Sequence, residues 1–372
     1  MSWSRAMLAP LALLACAHSE APVLVGVAGP FTEPRGVSMR RSAQLAAQQI
    51  NAAGGIAGRP IRLVFTDDSG SEDVAIRVAR TLYDNPQVIA VVGHLSSNAS
   101  LVAGRIYGGG TNPLVMITPS ASSPDLSGLN RYVFRVTPND VNQGQQIARY
   151  ARETLGARRA GLIYINNEYG RGLRRAFDTT FLRLGGLVVE EDPYLPATSS
   201  LAPYLLRLQR RNVDVLMLAA ERPGAELTVR EMRQLGMHIP VIGGDALSGI
   251  EALGAPAEGL RYSAVYMPEQ RGERNAAFVA AYGRAYSGQR PDHRGAGAYD
   301  IVDLLAQAIR AVGVDRQAVR DYVSEIGSRR PTFVGVAGPI AFDTMGDVPS
   351  KPVAIGIVRA GRFVEDAQGI RP

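Results

Sequence analysis

From Pro22 onward, short runs of β-branched and aliphatic residues alternate with longer stretches whose apolar positions recur every three or four residues. That alternation predicts βαβ units and a largely parallel sheet. Val23 to Val27 reads as the first strand. A helix follows with Ala43, Ala47 and Ile50 on one face, and Gly54-Gly55 stops it. Ile61 to Phe65 is the next strand, and Val74, Val78 and Leu82 mark the buried stripe of the helix after it. Val88 to Val92 and Leu114 to Ile117 continue the series.

Near Thr137-Pro138-Asn139-Asp140 the chain leaves this unit and begins a second of the same kind. Its strands are Gly161 to Ile165, Val213 to Leu218 and Ile239 to Ile242, with helices around Gln143 to Leu155, Gly170 to Leu184 and Gly224 to Leu235. After Tyr262 to Tyr266 come two further helical stretches, Asn275 to Tyr286 and Ala296 to Val312, and a β-rich tail at Val353 to Val358. A late return of this kind makes the chain cross between lobes more than once, and several short crossovers form a hinge with a defined axis. The length, 372 residues, suits two domains, because single cores stop growing near about 250 to 300 residues.

Charge adds little. The net charge of +6 comes from 40 basic and 34 acidic residues spread without a block of like sign, so nucleic acid is not an expected partner. Lys351 is the single lysine, and the arginine bias reads as coding preference rather than a phosphate-binding face. The lone cysteine, Cys16, excludes an intramolecular disulfide and a cysteine-cluster metal site. Arg5 precedes the apolar run Ala6 to Ala15, and Leu13-Leu14-Ala15-Cys16 resembles a bacterial lipoprotein signal. The run is shorter than the ~20 apolar residues a membrane helix needs. The resemblance implies cleavage before Cys16, acylation there, and a membrane-anchored lipoprotein in the periplasm. A plain secretory signal with an incidental cysteine is the alternative, and either way the mature protein is exported.

Catalytic signatures are missing. Ala28-Gly29-Pro30 after the first strand lacks the G-x-G-x-x-G fingerprint, and no P-loop is possible without a second lysine. There is no G-x-S-x-G elbow, and His18, His94, His238 and His293 form no metal-binding spacing. Gly108-Gly109-Gly110 reads as a turn between helix and strand. Asp67-Asp68 reads as a turn or cap, or as a metal holder, and stays unassigned. No enzyme activity, cofactor or metal is expected.

Serines remain as candidate chemistry. Ser96 and Ser97 follow the strand ending at Val92 and would open a helix, whose free N–H groups and dipole favour a carboxylate. Ser120 and Ser122 follow the neighbouring strand, beside the first pair in a parallel sheet. Both clusters lie where open α/β sheets bind ligands, although a serine caps any helix and each alone is compatible with that role.

Segments Ile50-Asn51-Ala52-Ala53-Gly54-Gly55-Ile56, Asp67-Asp68, Gly93-His94-Leu95-Ser96-Ser97 and Met116-Ile117-Thr118-Pro119-Ser120-Ala121-Ser122, in this order and at these separations, resemble the type I periplasmic binding proteins of branched-chain amino-acid ABC transporters. Glu168-Tyr169-Gly170-Arg171-Gly172 resembles that family's Tyr-Gly-x-Gly segment. The likeness runs from about Val23 to the C-terminus. It implies an α/β fold of two Rossmann-like lobes joined by a multi-crossover hinge. Residues 1–15 would be the signal peptide and 16–22 a lipidated tether; 23–139 plus 266–340 would form lobe 1, and 140–265 plus 341–372 lobe 2.

By the same resemblance, Ser97, Ser120 and Ser122 hold an amino acid's carboxylate, with backbone groups near Ser120 also serving the ammonium. Tyr169 closes over the ligand from the facing lobe, and Asp245 pairs with the ammonium. The expected partners are a small amino-acid-like ligand, an ABC permease, and a membrane through the lipid anchor. A ligand-binding sensor that reports to a signalling partner is the alternative. Two positions depart from the leucine-binding pattern: Arg35 and Glu221 stand near positions where relatives carry tyrosines. They argue against a purely aliphatic pocket if they reach the ligand, and otherwise face water or pair with each other.

Overall fold

In the computed structural model, which describes residues 21–366, the apolar runs become the strands of two separate sheets. The first contains β1 (Val23–Gly29), β2 (Ile61–Asp67), β3 (Val88–Val92), β4 (Val115–Thr118) and β5 (Val133–Arg135), in the order β2-β1-β3-β4-β5 and parallel throughout. Helices α1 (Pro34–Ala52), α2 (Glu72–Asp84) and α3 (Ser97–Tyr107) are its crossovers. Every residue of β3 is buried, which is why that run shows no polar alternation. The strand order reverses between β1 and β3, so their carboxyl ends border the crevice in which such a sheet receives a ligand.

The stop after α1 has a specific cause. The Asn51 side chain donates to the Ile61 carbonyl at 3.0 Å and accepts from the Ile61 N–H at 2.8 Å, pinning the end of α1 to the start of β2. Gly55 has φ +75°, and a Cβ there would lie 2.3 Å from the Arg59 carbonyl oxygen, so the segment turns on a residue without a side chain. The Asn-Ala-Ala-Gly-Gly motif is thus a structural staple.

The second sheet repeats the plan. Helix α4 (Asp140–Arg149) leads into β6 (Arg159–Ile165), α5 (Glu168–Arg183), β7 (Leu187–Tyr194), α6 (Ala202–Arg210), β8 (Val215–Ala219), α7 (Arg222–Gln234), β9 (Val241–Gly243) and β10 (Arg261–Ala264). Its parallel strands run β7-β6-β8-β9-β10, the same order as in the first sheet. The chain then returns with α8 (Glu273–Ala285), α9 (His293–Val312) and α10 (Arg316–Glu325). Helix α9 packs on α1, and Ile301, Leu305 and Val319 join the core of the first sheet. A hairpin of β11 (Phe333–Gly335) and β12 (Gly338–Ile340) follows. Finally β13 (Ala354–Arg359) and β14 (Arg362–Glu365) extend the second sheet as antiparallel edge strands.

Some elements depart from the sequence reading. Asn139 caps α4, accepting from the Asn142 N–H at 3.1 Å, so the helix starts ahead of Gln143 and passes into a π-helical turn at Tyr150–Thr154. Strand β7 is an edge strand with half-exposed Glu190, and β5 spans 3 residues; neither carries a strong apolar pattern. Phe342 and Val348 pack in the first core, so the last crossing falls between Val348 and Ala354 rather than at the 340/341 boundary.

The crossovers are cross-braced. Lys351 Nζ donates to the Val136 carbonyl at 2.8 Å, linking the first and last of them. Buried Arg135 donates to Asp347 Oδ1 at 2.7 Å and to the Ser123 carbonyl at 2.8 Å, while Asn139 donates to Asp347 Oδ2 at 2.9 Å. Among the described residues no helix is long and apolar enough to cross a membrane. Cys16 and the proposed tether up to Glu20 lie outside the described residues.

Candidate functional site

The serine turns of the first sheet are built around backbone donors. Ser96 caps α3 by accepting from the Ala99 N–H at 3.3 Å, which leaves Ser97 as the first residue of the helix. Ser97 is buried, and its Oγ accepts from the Ser123 N–H at 3.2 Å, clasping the helix start to the loop after β4. Thr118 at the end of β4 donates to the His94 carbonyl at 2.6 Å and accepts from the Ala121 N–H at 3.0 Å, which folds the Ser120-Ala121-Ser122 turn back over the sheet. His94 itself is fixed from below: its Nδ1 lies 2.6 Å from Asp68 Oδ2, with both side chains buried. The second residue of the Asp67-Asp68 pair is therefore a structural partner of His94.

The second sheet contributes the opposite wall. Asn167 caps α5 through the Gly170 N–H at 2.9 Å, and a Cβ on Gly170 would lie 1.9 Å from the Ile165 carbonyl oxygen, so the Tyr-Gly pair lets α5 start hard against β6. Tyr169 then turns inward against the loop after β9, where a Cβ on Gly244 would lie 2.2 Å from its hydroxyl. Asp245 follows directly. Its backbone N–H donates to Gln143 Oε1 at 3.4 Å, and that same oxygen accepts from Ser263 at 2.6 Å.

The two walls meet. The Glu168 N–H at the start of α5 donates to Asn98 Oδ1 in α3 at 3.1 Å. Asp140, at the start of α4, donates its N–H to the Ser122 carbonyl at 2.8 Å. Burial and the nearby Asp245 carboxylate push the Asp140 carboxyl well above the ordinary range, while the Ser122 hydroxyl acts in the opposite sense. Burial raises Asp245 as well, to about 6, against the pull of the Arg294 guanidinium and Gln143. Tyr169 is pushed up by burial and then by the carboxyls of Asp245 and Asp140.

Ser97, Ser122, Tyr169 and Asp245 are thus all buried along one seam, Ser97 and Ser122 from the first sheet and Tyr169 and Asp245 from the second. Ser120 is half-buried in the same turn, with its N–H on Thr118 Oγ1 at 3.3 Å. Arg35 and Glu221 take the paired alternative: they form an ion pair at 3.1 Å across the seam, joining α1 to α7, with Glu33 on the other side of the guanidinium at 2.7 Å. Although burial opposes it, Glu221 and Glu33 raise the Arg35 pKa.

Polar atoms at this seam differ in how they are satisfied. The Tyr169 hydroxyl, Asp245 Oδ2 and His293 Nε2 are buried without a hydrogen-bond partner, although buried polar groups are normally paired. His293, Arg294 and Asp140 were not among the site residues expected from the sequence. The available signal was Pro291-Asp292 ahead of a helical run, which reads as a cap: Asp292 Oδ1 accepts from the Gly295 N–H at 2.9 Å and from Ser38 at 2.6 Å. Nothing in a single histidine told where its ring points.

Residues 21–362 match the family model described as periplasmic binding protein. The Leu/Ile/Val-binding protein BraC3 of Rhizobium johnstonii is 27% identical over 369 residues, covering 96% of this chain and 97% of its own length. A leucine-binding protein, LivK, from Thermotoga maritima is similar in structure with a TM-score of 0.84 at 26% identity, over 93% of this chain and 98% of that one. An ABC transporter substrate-binding protein from Desulfitobacterium hafniense, solved in complex with Leu, gives 0.80 at 29% identity over 93% of this chain and all 100% of its own.

Proposed function

Because the chain belongs to the periplasmic binding protein family, which binds solutes and is not a family of enzymes, we propose that it is the extracytoplasmic substrate-binding component of an ABC transporter and captures an amino acid between its two lobes. Ser97, Ser122 and the N–H groups at the start of α3 take the carboxylate; Asp245 and Tyr169 take the ammonium. The observation that carries the reading is the pair of buried, unpartnered acceptors, Tyr169 Oη and Asp245 Oδ2, on the wall opposite the serine turns. An ammonium supplies what both lack, and a charge-assisted bond in a site shielded from water is stronger than on a surface. A ligand touching both walls favours the closed arrangement, which a membrane permease can read.

The relatives named above bind leucine, isoleucine or valine by their names or bound ligands. A thermal-shift screen of the twenty standard L-amino acids tests whether this chain does likewise. A ligand at 100 times its dissociation constant adds about 2.7 kcal/mol of native-state stability, and a screen with no shift for any of them removes the proposal. Anchoring is tested separately. Cys16→Ser should move the expressed protein from the membrane to the soluble periplasmic fraction; equal fractionation of both forms removes the lipoprotein reading.

A further inference from the structure

We propose that His293 is a ligand-recognising residue whose uncharged imidazole accepts a hydrogen bond from the same ligand nitrogen that Asp245 receives. The inference rests on the amino-acid reading above and deepens it. His293 opens α9, which packs with α1 and the first sheet, while Asp245 follows β9 of the second sheet. Their side chains are both 5% exposed, and Nε2 lies 3.7 Å from Asp245 Oδ2, beyond hydrogen-bond distance. Neither atom has another partner. Two buried polar groups facing each other across a seam without bonding constitute a cost that a shared third atom removes.

The electrostatics favour an acceptor at Nε2. Burial, the Arg294 guanidinium and Lys351 hold the imidazole down at about 3, against the pull of Asp292, so the ring is neutral at physiological pH. A neutral ring offers one acceptor nitrogen. With the proton on Nδ1, Nε2 is that acceptor, and the 3.7 Å between it and Asp245 Oδ2 leaves both atoms unbonded. The atom that satisfies both residues therefore carries at least two hydrogens. An ammonium has three, the third being free for the Tyr169 hydroxyl; an alcohol has one and a keto oxygen none. The site thereby selects an amino acid over the 2-hydroxy or 2-oxo acid of the same shape, and one nitrogen ties the lobes together.

The test uses the full chain with the twenty standard L-amino acids as probes, followed by calorimetry on the tightest of them and on its 2-hydroxy acid. In the parent, the hydroxy acid should bind at least about ten-fold more weakly, since one buried acceptor is left unpaired. His293→Leu should weaken the amino acid about ten- to thirty-fold and the hydroxy acid by no more than about three-fold, while His293→Gln, which retains an acceptor, restores most of the loss. Equal binding of the amino acid to the parent and His293→Leu overturns the inference, as does an equal loss for both ligands. Should His293→Leu fail to fold, the amino-to-hydroxy ratio of His293→Gln decides, and a ratio collapsed to that of a site lacking the acceptor overturns it. If the parent binds no amino acid at all, the proposed function itself falls and this inference falls with it.

Discussion

The two walls of the seam are prepared in opposite ways. On the first sheet the hydroxyls of Ser96, Ser97 and Thr118 are engaged with the protein's own backbone, and the turns they hold are fixed before any ligand arrives. On the second, Tyr169 and Asp245 bring a hydroxyl and a carboxylate oxygen, Oδ2, into the same buried region without a hydrogen-bond partner. A carboxyl raised from 3.8 to about 6 costs on the order of 3 kcal/mol to keep ionised in the closed form at neutral pH. The first wall is therefore a preformed cradle. The second is a lid whose closure is uphill until a cation meets it, so ligand and closure are coupled through the Asp245 carboxylate.

The sharpest way to break this contrast is to remove the carboxylate. Asp245→Ala should weaken amino-acid binding at least about a hundred-fold, because a buried charge-assisted bond contributes roughly 3 kcal/mol. The melting temperature of the unliganded protein should stay level or rise, since an unpaired buried carboxyl disappears. Calorimetry and thermal unfolding on the same sample check both halves, and unchanged affinity in a folded variant would remove Asp245 from the site.

Titration gives the next largest effect. A ligand ammonium requires ionised Asp245, so protonation competes with binding. Its pKa in the closed form is raised, not depressed, so affinity is full well above about 6 and falls as pH drops through that value, by about ten-fold per pH unit below it. His293 stays neutral down to about 3, so it does not mask the window. Asp245→Asn should flatten the profile between pH 5 and 7. A parent profile flat over that range would sever the ammonium from Asp245.

How much of this was legible before the structure follows from the kind of signal. Both sheets announced themselves, since buried parallel strands need continuous apolar runs, as at Val88–Val92 and Val215–Ala219. Strand β7 and the short β5 did not, because an edge strand is specified by its neighbour as much as by its own residues. The serine turns were visible because helix starts after strands have a local grammar. His293 and Asp140 were invisible as site residues, since only the return of α9 to the first sheet and the first crossing bring them to the seam. The Asn51 and Asp68 motifs were seen, yet their work is structural: one staples α1 to β2, the other seats His94.

A smaller effect probes the preformed wall. Ser97→Ala removes the acceptor for the Ser123 N–H and should lower stability by about 1 kcal/mol, measured by urea unfolding. It should also weaken binding, by about ten-fold, because the loop after β4 loses its clasp and the carboxylate loses a donor. A variant that binds normally but melts early would make Ser97 a structural residue alone.

The weakest expected effect separates latch from ligand contact. Arg35 and Glu221 join the lobes at 3.1 Å, with side chains 23% and 26% exposed, so solvent screens much of their attraction. A double-mutant cycle of Arg35→Met and Glu221→Gln should give a coupling of about 0.5 to 1 kcal/mol that shrinks in high salt. Because the pair exists only when α1 and α7 face each other, its loss lowers the closed population, and each bound amino acid should weaken by the same factor. Replacing a group that touches the ligand behaves differently, with losses that depend on the ligand's side chain. A uniform shift across aliphatic, polar and acidic amino acids therefore identifies a latch. A loss confined to one class would place Arg35 against the ligand and mark the side chain it reads.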